Sequence, residues 1–482
     1  MKKVTSIFGG RGEQEGDDIK QLAQSIHDTF KDFNAPIEVV EAIDGYSSYH
    51  FHIRPTKPMR MKAFAGFVDD LKYALQNDSV EIEAPIPNKK LVGITVRKKG
   101  ALPDIDFNEA LEWDEYKESD PLVVPIGIDE FGERHLTNIA RMPHGLIAGT
   151  TGSGKSVLLH TIVNALIEKN GPDTVRFLFI DPKRIELTLY NGLPHLLTPT
   201  ITQAKKSIQA LAWAVKEMER RYDILEAEGV QNIKYYHEKI YKPALEKWRK
   251  AGEDKKASHE LPESMPYIVI VVDELNDIMA AYPQELEACI VRLAQMARAV
   301  GIHMILSTQR PSTNVITGTI KANIPTRIAL MVASQIDSRT ILDTTGAEKL
   351  RGSGDLLFLP SDQPKPIRIQ GLKVLEDEII ERVKKYGVKD EIPPMETLDF
   401  DGRSQSENDA VFAAMLGNED DDELFEEAKE AVIQAGKAST SYIQRKLRVG
   451  YSRAARLMDL LEANGVIGPA KGAEPRKVIN DD

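Results

Sequence analysis

A glycine-rich segment at residues 149–156 constrains this chain more than any other part of its sequence. It reads Gly-Thr-Thr-Gly-Ser-Gly-Lys-Ser, follows a short apolar run and precedes apolar residues with helical spacing at 157–167. Strand, loop and helix in this order form the context of a phosphate-binding P-loop. Glycines let backbone N–H groups point at an anion, and the helix N-terminus adds its dipole. The candidate nucleotide-binding residues are Gly149, Thr150, Thr151, Gly152, Ser153, Gly154, Lys155, Ser156 and Val157.

Two side chains of this segment have predicted roles toward a nucleotide. Lys155 is expected to reach the β- and γ-phosphates, and Ser156 is expected to ligate Mg²⁺. The predicted cofactors are therefore ATP and Mg²⁺, and the predicted fold class is α/β.

A second segment, at residues 267–274, carries two adjacent carboxylates. The apolar run Tyr-Ile-Val-Ile-Val-Val is typical of a central parallel strand that is covered on both faces. We expect the following Asp273 to hold the Mg²⁺ shell, and Glu274 to polarise the attacking water as general base. The alternative is a buried strand followed by a helix start, where carboxylates are also favoured.

The strand predicted at residues 303–308 ends in Gln309 and Arg310. Gln309 is predicted to sense the γ-phosphate or to position the water. Arg310, Arg327 and Arg339 are candidates to stabilise transition-state charge, including from a neighbouring subunit. For each arginine the alternative is an ordinary surface or structural cation.

The length of 482 residues predicts several domains. We divide the chain into an N-terminal α/β module (1–130), a P-loop core (131–390), an acidic linker (391–422) and a C-terminal module (423–482). The alternation of strands and helices that marks the core begins near Pro121. Residues 109–119 are interpreted as a charged connector, and 231–265 as a helical insertion. The linker has few apolar residues and many like charges, which favours disorder, although 410–416 could form a short ordered strap.

The last sixty residues predict a helix–turn–helix with a wing. Helices are expected at 424–435, at 439–447 and from 452, and the wing strands at 466–467 and 477–479. Residues 437–456 contain six Lys or Arg and no Asp or Glu, in a chain whose net charge is −12. A local basic surface of this kind is what phosphate binding requires. The alternative is a protein-docking winged helix with an incidental basic face.

The remaining composition favours a cytoplasmic protein. The single cysteine, Cys289, excludes an intrachain disulfide and is predicted to be a buried apolar residue. We find no run of about 18 apolar residues, and the N-terminus lacks the apolar core of a signal peptide.

Taken together, these motifs resemble the FtsK/SpoIIIE family of DNA translocases. The resemblance implies an N-terminal α module, a RecA-like β motor and a winged-helix γ module. It also implies a ring, usually hexameric, that pumps double-stranded DNA during chromosome segregation. The γ module of the family reads short polar DNA sequences and can activate a site-specific tyrosine recombinase. The segments that carry the resemblance are 79–86, 140–144, 148–157, 181–187, 194–196, 217–222, 308–312, 316–318, 320–327, 336–342 and 450–456.

The resemblance and the charge pattern together suggest DNA contacts. A loop at 317–323, with Lys321, is expected to face DNA inside the ring. Arg453, at the start of the predicted recognition helix, is the candidate for a bidentate contact to guanine. Two further positions, Ser452 and Asp459, replace the Asn and Glu that are usual in the family, which predicts a relaxed or altered recognition site. The candidate DNA-binding residues are Lys321, Arg445, Ser452, Arg453, Arg456 and Asp459.

One departure from the family concerns the N-terminus. Family members usually carry a membrane domain and a long linker, whereas this sequence begins almost at the α module, so a soluble member is expected. Other hypotheses are a DNA pump for conjugation or phage packaging, and a DNA-binding regulator gated by ATP. The Asp273–Glu274 pair and Gln309 favour turnover over simple switching.

Overall fold

A five-stranded sheet organises the N-terminal part of the chain. Strand β1 runs parallel to β2, and the other neighbours are antiparallel, in the order β1-β2-β3-β5-β4. The computed structural model describes residues 4–6, 13–86, 89–99, 104–250, 261–387, 425–435, 437–447, 457–458, 461–462, 466–468 and 476–478. The strands are β1 (Val4–Ser6), β2 (Ile37–Asp44), β3 (Ser48–Pro55), β4 (Val80–Glu83) and β5 (Val92–Arg97).

Helices pack on one face of this sheet. The longest, Glu13–Asp32, is not among the elements predicted from sequence, although its buried residues repeat with helical spacing. A second helical segment consists of Met61–Phe64 and Val68–Leu75, joined by one 3-10 turn, Ala65–Phe67. The core residues that these helices share with the sheet include Ile19, Ile26, Phe30, Phe51 and Phe64.

A nine-stranded sheet forms the second and larger part. Its order is β7-β6-β14-β13-β12-β8-β11-β10-β9, in which β12, β8, β11, β10 and β9 are parallel and the others antiparallel. The strands are β6 (Val123–Asp129), β7 (Arg134–Asn138), β8 (His144–Ala148), β9 (Val175–Ile180), β10 (Tyr267–Val272), β11 (Ile302–Thr308), β12 (Thr326–Leu330), β13 (Asp355–Leu359) and β14 (Ile367–Gly371).

Helices cover both faces of this sheet. Along β10, Ile270 packs into one apolar core and Val271 into the other, as the continuous apolar run predicted. Cys289 is buried in the first of these cores, and burial raises the pKa of its thiol to about 12. The helices are Lys155–Lys169, Ala204–Ala227, Ile233–Tyr236, Lys242–Lys250, Leu275–Met279, Pro283–Met296, Gly318–Asn323, Gln335–Leu342 and Glu376–Tyr386, with a π-helical turn at His237–Tyr241.

The structure differs from the sequence-based division at the start of the core. Strand β6 belongs to the large sheet, so a boundary at 130 falls after this strand rather than before it. The predicted connector at 109–119 lies in two short helices, Phe107–Leu111 and Asp114–Lys117. Phe107, Trp113 and Tyr116 are buried against the large sheet, so the aromatic residues outweigh the charges that suggested a connector.

The C-terminal part has the predicted first two helices and a small sheet. Helices Phe425–Ala435 and Thr440–Leu447 share a core that contains Val432 and Ile443. The predicted wing pairing is confirmed at one bridge, between Ile467 and Val478. A further strand, Lys437–Ala438, pairs with Arg476–Lys477. The linker at 391–422 and the start of the third predicted helix lie outside the described residues.

Among the residues described above, no helix combines the length and the apolar character needed to cross a membrane.

Candidate nucleotide-binding site

The glycine-rich loop lies at the carboxyl edge of the parallel strands. It follows β8, which lies between β11 and β12, and it leads into helix Lys155–Lys169. Gly154 has a φ of +102°, and a Cβ there would lie 2.5 Å from the backbone nitrogen of Gly354. Only glycine fits this position without moving that backbone, so the loop can follow the path that a P-loop requires.

Lys155 and Asp273 meet at this edge. The Lys155 ammonium is buried and donates to the Asp273 Oδ1 (2.5 Å) and carbonyl oxygen (3.0 Å), and to the Ser307 hydroxyl (3.1 Å). Burial raises the pKa of the Asp273 carboxyl, and the Lys155 charge opposes that rise. The strand order therefore brings together residues that are 118 positions apart.

The donor set at this point fits a hard cation. Asp273 Oδ2 is buried and has no hydrogen-bond partner among the described residues, and such an atom is costly to bury unless something binds it. The other oxygen of this carboxylate, Oδ1, accepts the Lys155 ammonium, and the next residue, Ser156, carries a hydroxyl in the first turn of the same helix. Hydroxyl and carboxylate oxygens are ligands that Mg²⁺ accepts in nucleotide sites. The residues present are therefore compatible with Mg²⁺.

Ser156 has a partner that sequence reasoning missed. Its hydroxyl donates to Glu186 Oε1 at 2.6 Å, and Glu186 Oε2 lies 3.1 Å from the His160 Nε2. The other ring nitrogen of His160 lies 2.9 Å from the Tyr190 hydroxyl. Hydrogen bonds from His160 and Ser156 hold the pKa of Glu186 below its usual value. A chain of buried polar groups thus runs from the P-loop helix to a carboxylate beside Ser156.

Glu274 is a second buried carboxylate, next to Asp273. It is 1 % exposed, and it accepts hydrogen bonds from the Lys183 ammonium (2.8 Å) and the Thr308 hydroxyl (2.6 Å). The backbone N–H of Gln309 also donates to it, at 3.2 Å. Burial alone would raise the pKa of Glu274, but these donors outweigh burial and leave that pKa lowered. The carboxylate is therefore anionic at neutral pH.

The segment 181–187 holds both Lys183 and Glu186 in place. Asp181 is fully buried, and its carboxylate accepts backbone N–H groups from four consecutive residues at 2.9–3.1 Å. Capping of this kind fixes a loop without regular secondary structure. The family resemblance includes this segment, but no role was predicted for Lys183 or Glu186.

The other predicted catalytic residues lie apart from one another, since Gln309 and Arg310 follow the carboxyl end of β11, whereas Arg327 lies near the amino end of β12. Gln309 reaches the P-loop, where its Oε1 accepts the Thr151 hydroxyl at 3.1 Å. Arg310 and Arg339 are exposed. Arg327 instead binds the Ile341 carbonyl oxygen (3.2 Å) and Asp343 (2.5 Å), so its guanidinium is engaged within its own chain.

The predicted loop at 317–323 is wrong, because residues Gly318–Asn323 form a helix. The Thr317 hydroxyl accepts the Ile320 backbone N–H and caps this helix, and Ile320 is buried. Gly and Thr suggested a loop, but the cap and the apolar anchor outweigh them. The Lys321 ammonium forms an ion pair with Asp343 at 2.7 Å.

The predicted DNA-reading residues of the C-terminal module stay predictions. Arg445 lies in helix Thr440–Leu447, but its side chain is outside the described part of the structure. The same holds for all atoms of Ser452, Arg453, Arg456 and Asp459.

Comparison with known proteins identifies three matching families along the chain. Residues 10–97 match the FtsK alpha domain, 109–313 the FtsK/SpoIIIE family and 419–481 the FtsK gamma domain. A solved structure of the pCW3 conjugation coupling protein TcpA has a TM-score of 0.52 and 23 % identity. It covers 76 % of this chain and 99 % of its own, and it shows similarity of fold alone.

Two relatives align with almost the whole chain. The DNA translocase FtsK of Streptococcus pyogenes serotype M3 (strain SSI-1) is 44 % identical over 461 residues, which are 96 % of this chain and 56 % of the relative. The DNA translocase SftA of Bacillus subtilis (strain 168) is 42 % identical over 462 residues, 96 % of this chain and 46 % of the relative. The chain thus spans about half the length of these relatives. With three matched domains in the same order and a P-loop site at the expected strand edge, the chain belongs to the FtsK/SpoIIIE family.

Proposed function

We propose that this chain is an ATP-driven motor that moves double-stranded DNA, as a hexameric ring, during chromosome segregation. One observation carries the proposal: Lys155, Asp273 and Glu274 converge at one strand edge of a chain whose relatives are named DNA translocases. ATP is the nucleotide that this P-loop family implies. Both substrates are cytoplasmic in bacteria, and we place the motor there.

The residues of the site divide the chemistry of hydrolysis among them. Lys155 would leave Asp273 for the β- and γ-phosphates, and the loop N–H groups would bind the remaining oxygens. Ser156 and Asp273 would hold Mg²⁺, which when bound neutralises phosphate charge. Glu274 accepts the proton of the water that attacks the γ-phosphorus, while the bond to the β–γ bridging oxygen breaks. Gln309, which accepts the Thr151 hydroxyl, would contact the γ-phosphate and so couple its presence to the end of β11.

Steady-state ATP hydrolysis with and without linear double-stranded DNA tests the proposal. The unmodified protein should hydrolyse ATP, and DNA should accelerate it severalfold. Glu274→Gln should bind a fluorescent ATP analogue normally yet hydrolyse at least about 100-fold more slowly, because an amide cannot accept the proton. Lys155→Ala should lose binding of the analogue. Near-normal turnover by Glu274→Gln would contradict the base assignment, and hydrolysis without DNA stimulation would favour an ATP-gated regulator.

We propose that the C-terminal module (423–482), joined by the acidic linker (391–422), directs the motor on DNA. The support is its match to the FtsK gamma domain and the basic stretch at 437–456. Arg453 is the proposed guanine contact, worth about 1–3 kcal/mol. Selection of bound DNA sequences by the full chain should yield a guanine-containing motif that Arg453→Ala loses. Equal weakening of all sequences would mean that the module only contacts phosphate. Activation of a tyrosine recombinase remains part of this proposal.

A further inference from the structure

We propose that Lys183 restrains the Glu274 carboxylate and thereby sets the rate of ATP hydrolysis in the absence of DNA. The inference rests on the proposed function, since it assigns a positioning residue to the same site. Neither the family match nor the motifs found in the sequence give Lys183 a role.

The restraint follows from two neighbouring strand ends. Lys183 comes three residues after the end of β9, Glu274 comes two residues after the end of β10, and these strands pair directly, with Ile180 opposite Val272. The ammonium lies 2.8 Å from Glu274 Oε2. The Glu274 side chain is almost fully buried, whereas the Lys183 side chain is 31 % exposed. One partner is therefore fixed in the core, and the other can exchange its contact for solvent.

The Lys183 position does not depend on the ion pair alone. The Asp181 carboxylate accepts the backbone N–H groups of residues 184–187, so the loop keeps its shape around Lys183. The Lys183 side chain thus extends to Glu274 from a loop that is already ordered, so the contact requires no further ordering of the backbone. Replacing the Lys183 side chain should leave the loop intact.

The hydrogen bonds around Glu274 explain why the contact restrains hydrolysis. The Thr308 hydroxyl donates to Glu274 Oε1, and the Lys183 ammonium donates to Glu274 Oε2. The backbone nitrogen of Gln309 lies within 3.3 Å of both oxygens. An ammonium donates strongly to a carboxylate and fixes its rotamer. To act as a base, Glu274 must accept a hydrogen bond from the water that lies in line with the γ-phosphate. Thr308 already binds Oε1, so Lys183 and this water compete for Oε2. Release of Lys183 therefore precedes proton transfer.

Three variants of the full chain test this inference. Lys183→Met keeps the side-chain length without the charge. Lys183→Arg keeps a cation at the same place. Arg184→Met removes the adjacent cation, whose backbone rather than its side chain makes the loop contacts with Asp181 and Thr188. For each, kcat and KM for ATP are measured without DNA and at saturating linear double-stranded DNA.

Lys183→Met should raise kcat without DNA at least about threefold, the size expected for losing a partly exposed ion pair. KM for ATP should stay within twofold, and the DNA-saturated rate should change less than the basal rate, so that the stimulation ratio falls. Lys183→Arg should restore the normal ratio, and Arg184→Met should leave the basal rate unchanged. A merely structural lysine would lower both rates together.

Two results would overturn the inference, and they are distinguishable. If the unmodified protein hydrolyses ATP with DNA stimulation but Lys183→Met has an unchanged or lower basal kcat, Lys183 does not restrain Glu274, and the proposed function stands. If the unmodified protein does not hydrolyse ATP, the proposed function fails and the inference fails with it.

Discussion

Glu186 shows how a single residue outside the known motifs can tune the site. Its carboxylate accepts the hydroxyl of Ser156, and this orients the serine lone pairs away from Glu186, so that they are free for the proposed Mg²⁺. If the proton of neutral His160 is on Nε2, this nitrogen donates to Glu186 Oε2, and the unprotonated Nδ1 accepts the Tyr190 hydroxyl. Glu186 is therefore the terminal acceptor of a chain of donors, and it supports a proposed ligand without being one of the predicted ligands.

Glu186→Gln should raise the Mg²⁺ concentration needed for half-maximal ATP hydrolysis by about 10-fold or more, because outer-shell partners typically contribute 10- to 100-fold. Two measurements check this: a Mg²⁺ titration of hydrolysis, and Mn²⁺ binding followed by electron paramagnetic resonance. Glu381→Gln, on an exposed position of helix Glu376–Tyr386, is the matched control. Identical metal titrations for the protein and Glu186→Gln would show that the carboxylate does not support Ser156.

At this scale the sequence predicted groups that belong to motifs and missed groups that depend on loop shape. Lys155, Ser156, Asp273 and Glu274 were selected because their spacing and strand context are specific, and the structure brings them to one edge. The contacts of the 181–187 segment were not predictable from sequence. They depend on the hydrogen bonds between the Asp181 carboxylate and four backbone N–H groups, and no periodic residue pattern indicates such bonds. His160 likewise resembles any other polar residue within a helix.

At the scale of elements, helix Gly318–Asn323 replaces the loop that was expected to face DNA. Lys321 and Arg327 both pair with Asp343, whose side chain is 60 % exposed. These cations hold the pKa of Asp343 below its usual value despite partial burial. The two partly buried cations outnumber the carboxylate that they share, which is compatible with phosphate binding.

The Asp343 partnership gives a paired test of DNA contact by Lys321. Lys321→Ala should lower DNA stimulation of ATP hydrolysis about threefold or more while basal turnover is spared, because a phosphate contact is lost. Asp343→Asn should have the opposite effect and tighten DNA binding, because it removes the carboxylate that competes for Lys321. DNA affinity at two salt concentrations checks both. If the two variants shift DNA affinity in the same direction, the helix contributes through folding rather than through charge.

Elements with strong periodicity were predicted well, and those that depend on a few anchors were not. The buried run of β10 was identified because six consecutive apolar residues agree. Short helices such as Phe107–Leu111 were missed, because their stability comes from aromatic side chains packed on the sheet rather than from propensity.

The whole molecule contains buried histidines that link its stability to pH. His144 and His303 begin or nearly begin the neighbouring strands β8 and β11, and their ring centres are 6.4 Å apart. Burial lowers the pKa of His144 to about 3 and that of His303 to about 4. Between pH 6.5 and about 4 the unfolded chain binds protons that the folded chain does not, so the free energy of unfolding falls as pH falls.

Each histidine should contribute about 1.4 kcal/mol of lost stability per pH unit in that range. Urea unfolding of the full chain at pH 7, 6 and 5 measures the slope. His303→Gln should unfold more easily at pH 7 because of the lost packing, but its stability should depend less on pH by about one proton. Carboxylates contribute equally to both proteins and cancel in the comparison. Equal pH slopes would mean that folding does not change the pKa of His303.

In the proposed ring, an arginine of one subunit can contribute to the nucleotide site of the next subunit. Arg327 contacts carbonyl oxygens and Asp343 of its own chain, whereas Arg339 is exposed on helix Gln335–Leu342 and Arg310 is exposed at the end of β11. A head-to-tail ring places one surface of a subunit against a different surface of the next. An exposed arginine can therefore complete the nucleotide site of a neighbour, but a guanidinium bound within its own chain cannot do so without breaking those contacts.

Mixing two inactive variants tests this arrangement. Lys155→Ala lacks the P-loop cation and Arg339→Ala lacks one of the two proposed trans cations, so each alone should be inactive if Arg339 acts in trans. In random rings from an equal mixture, about one interface in four combines an intact Lys155 with an intact Arg339, and ATP hydrolysis should reappear there. An equal mixture of Lys155→Ala with Arg310→Ala shows which of the two exposed arginines acts in trans. A mixture of Lys155→Ala with Arg327→Ala is the control, and its activity should not exceed the sum of its components. If every mixture has only the summed activity of its components, the nucleotide site lies within one subunit, and the exposed arginines act elsewhere.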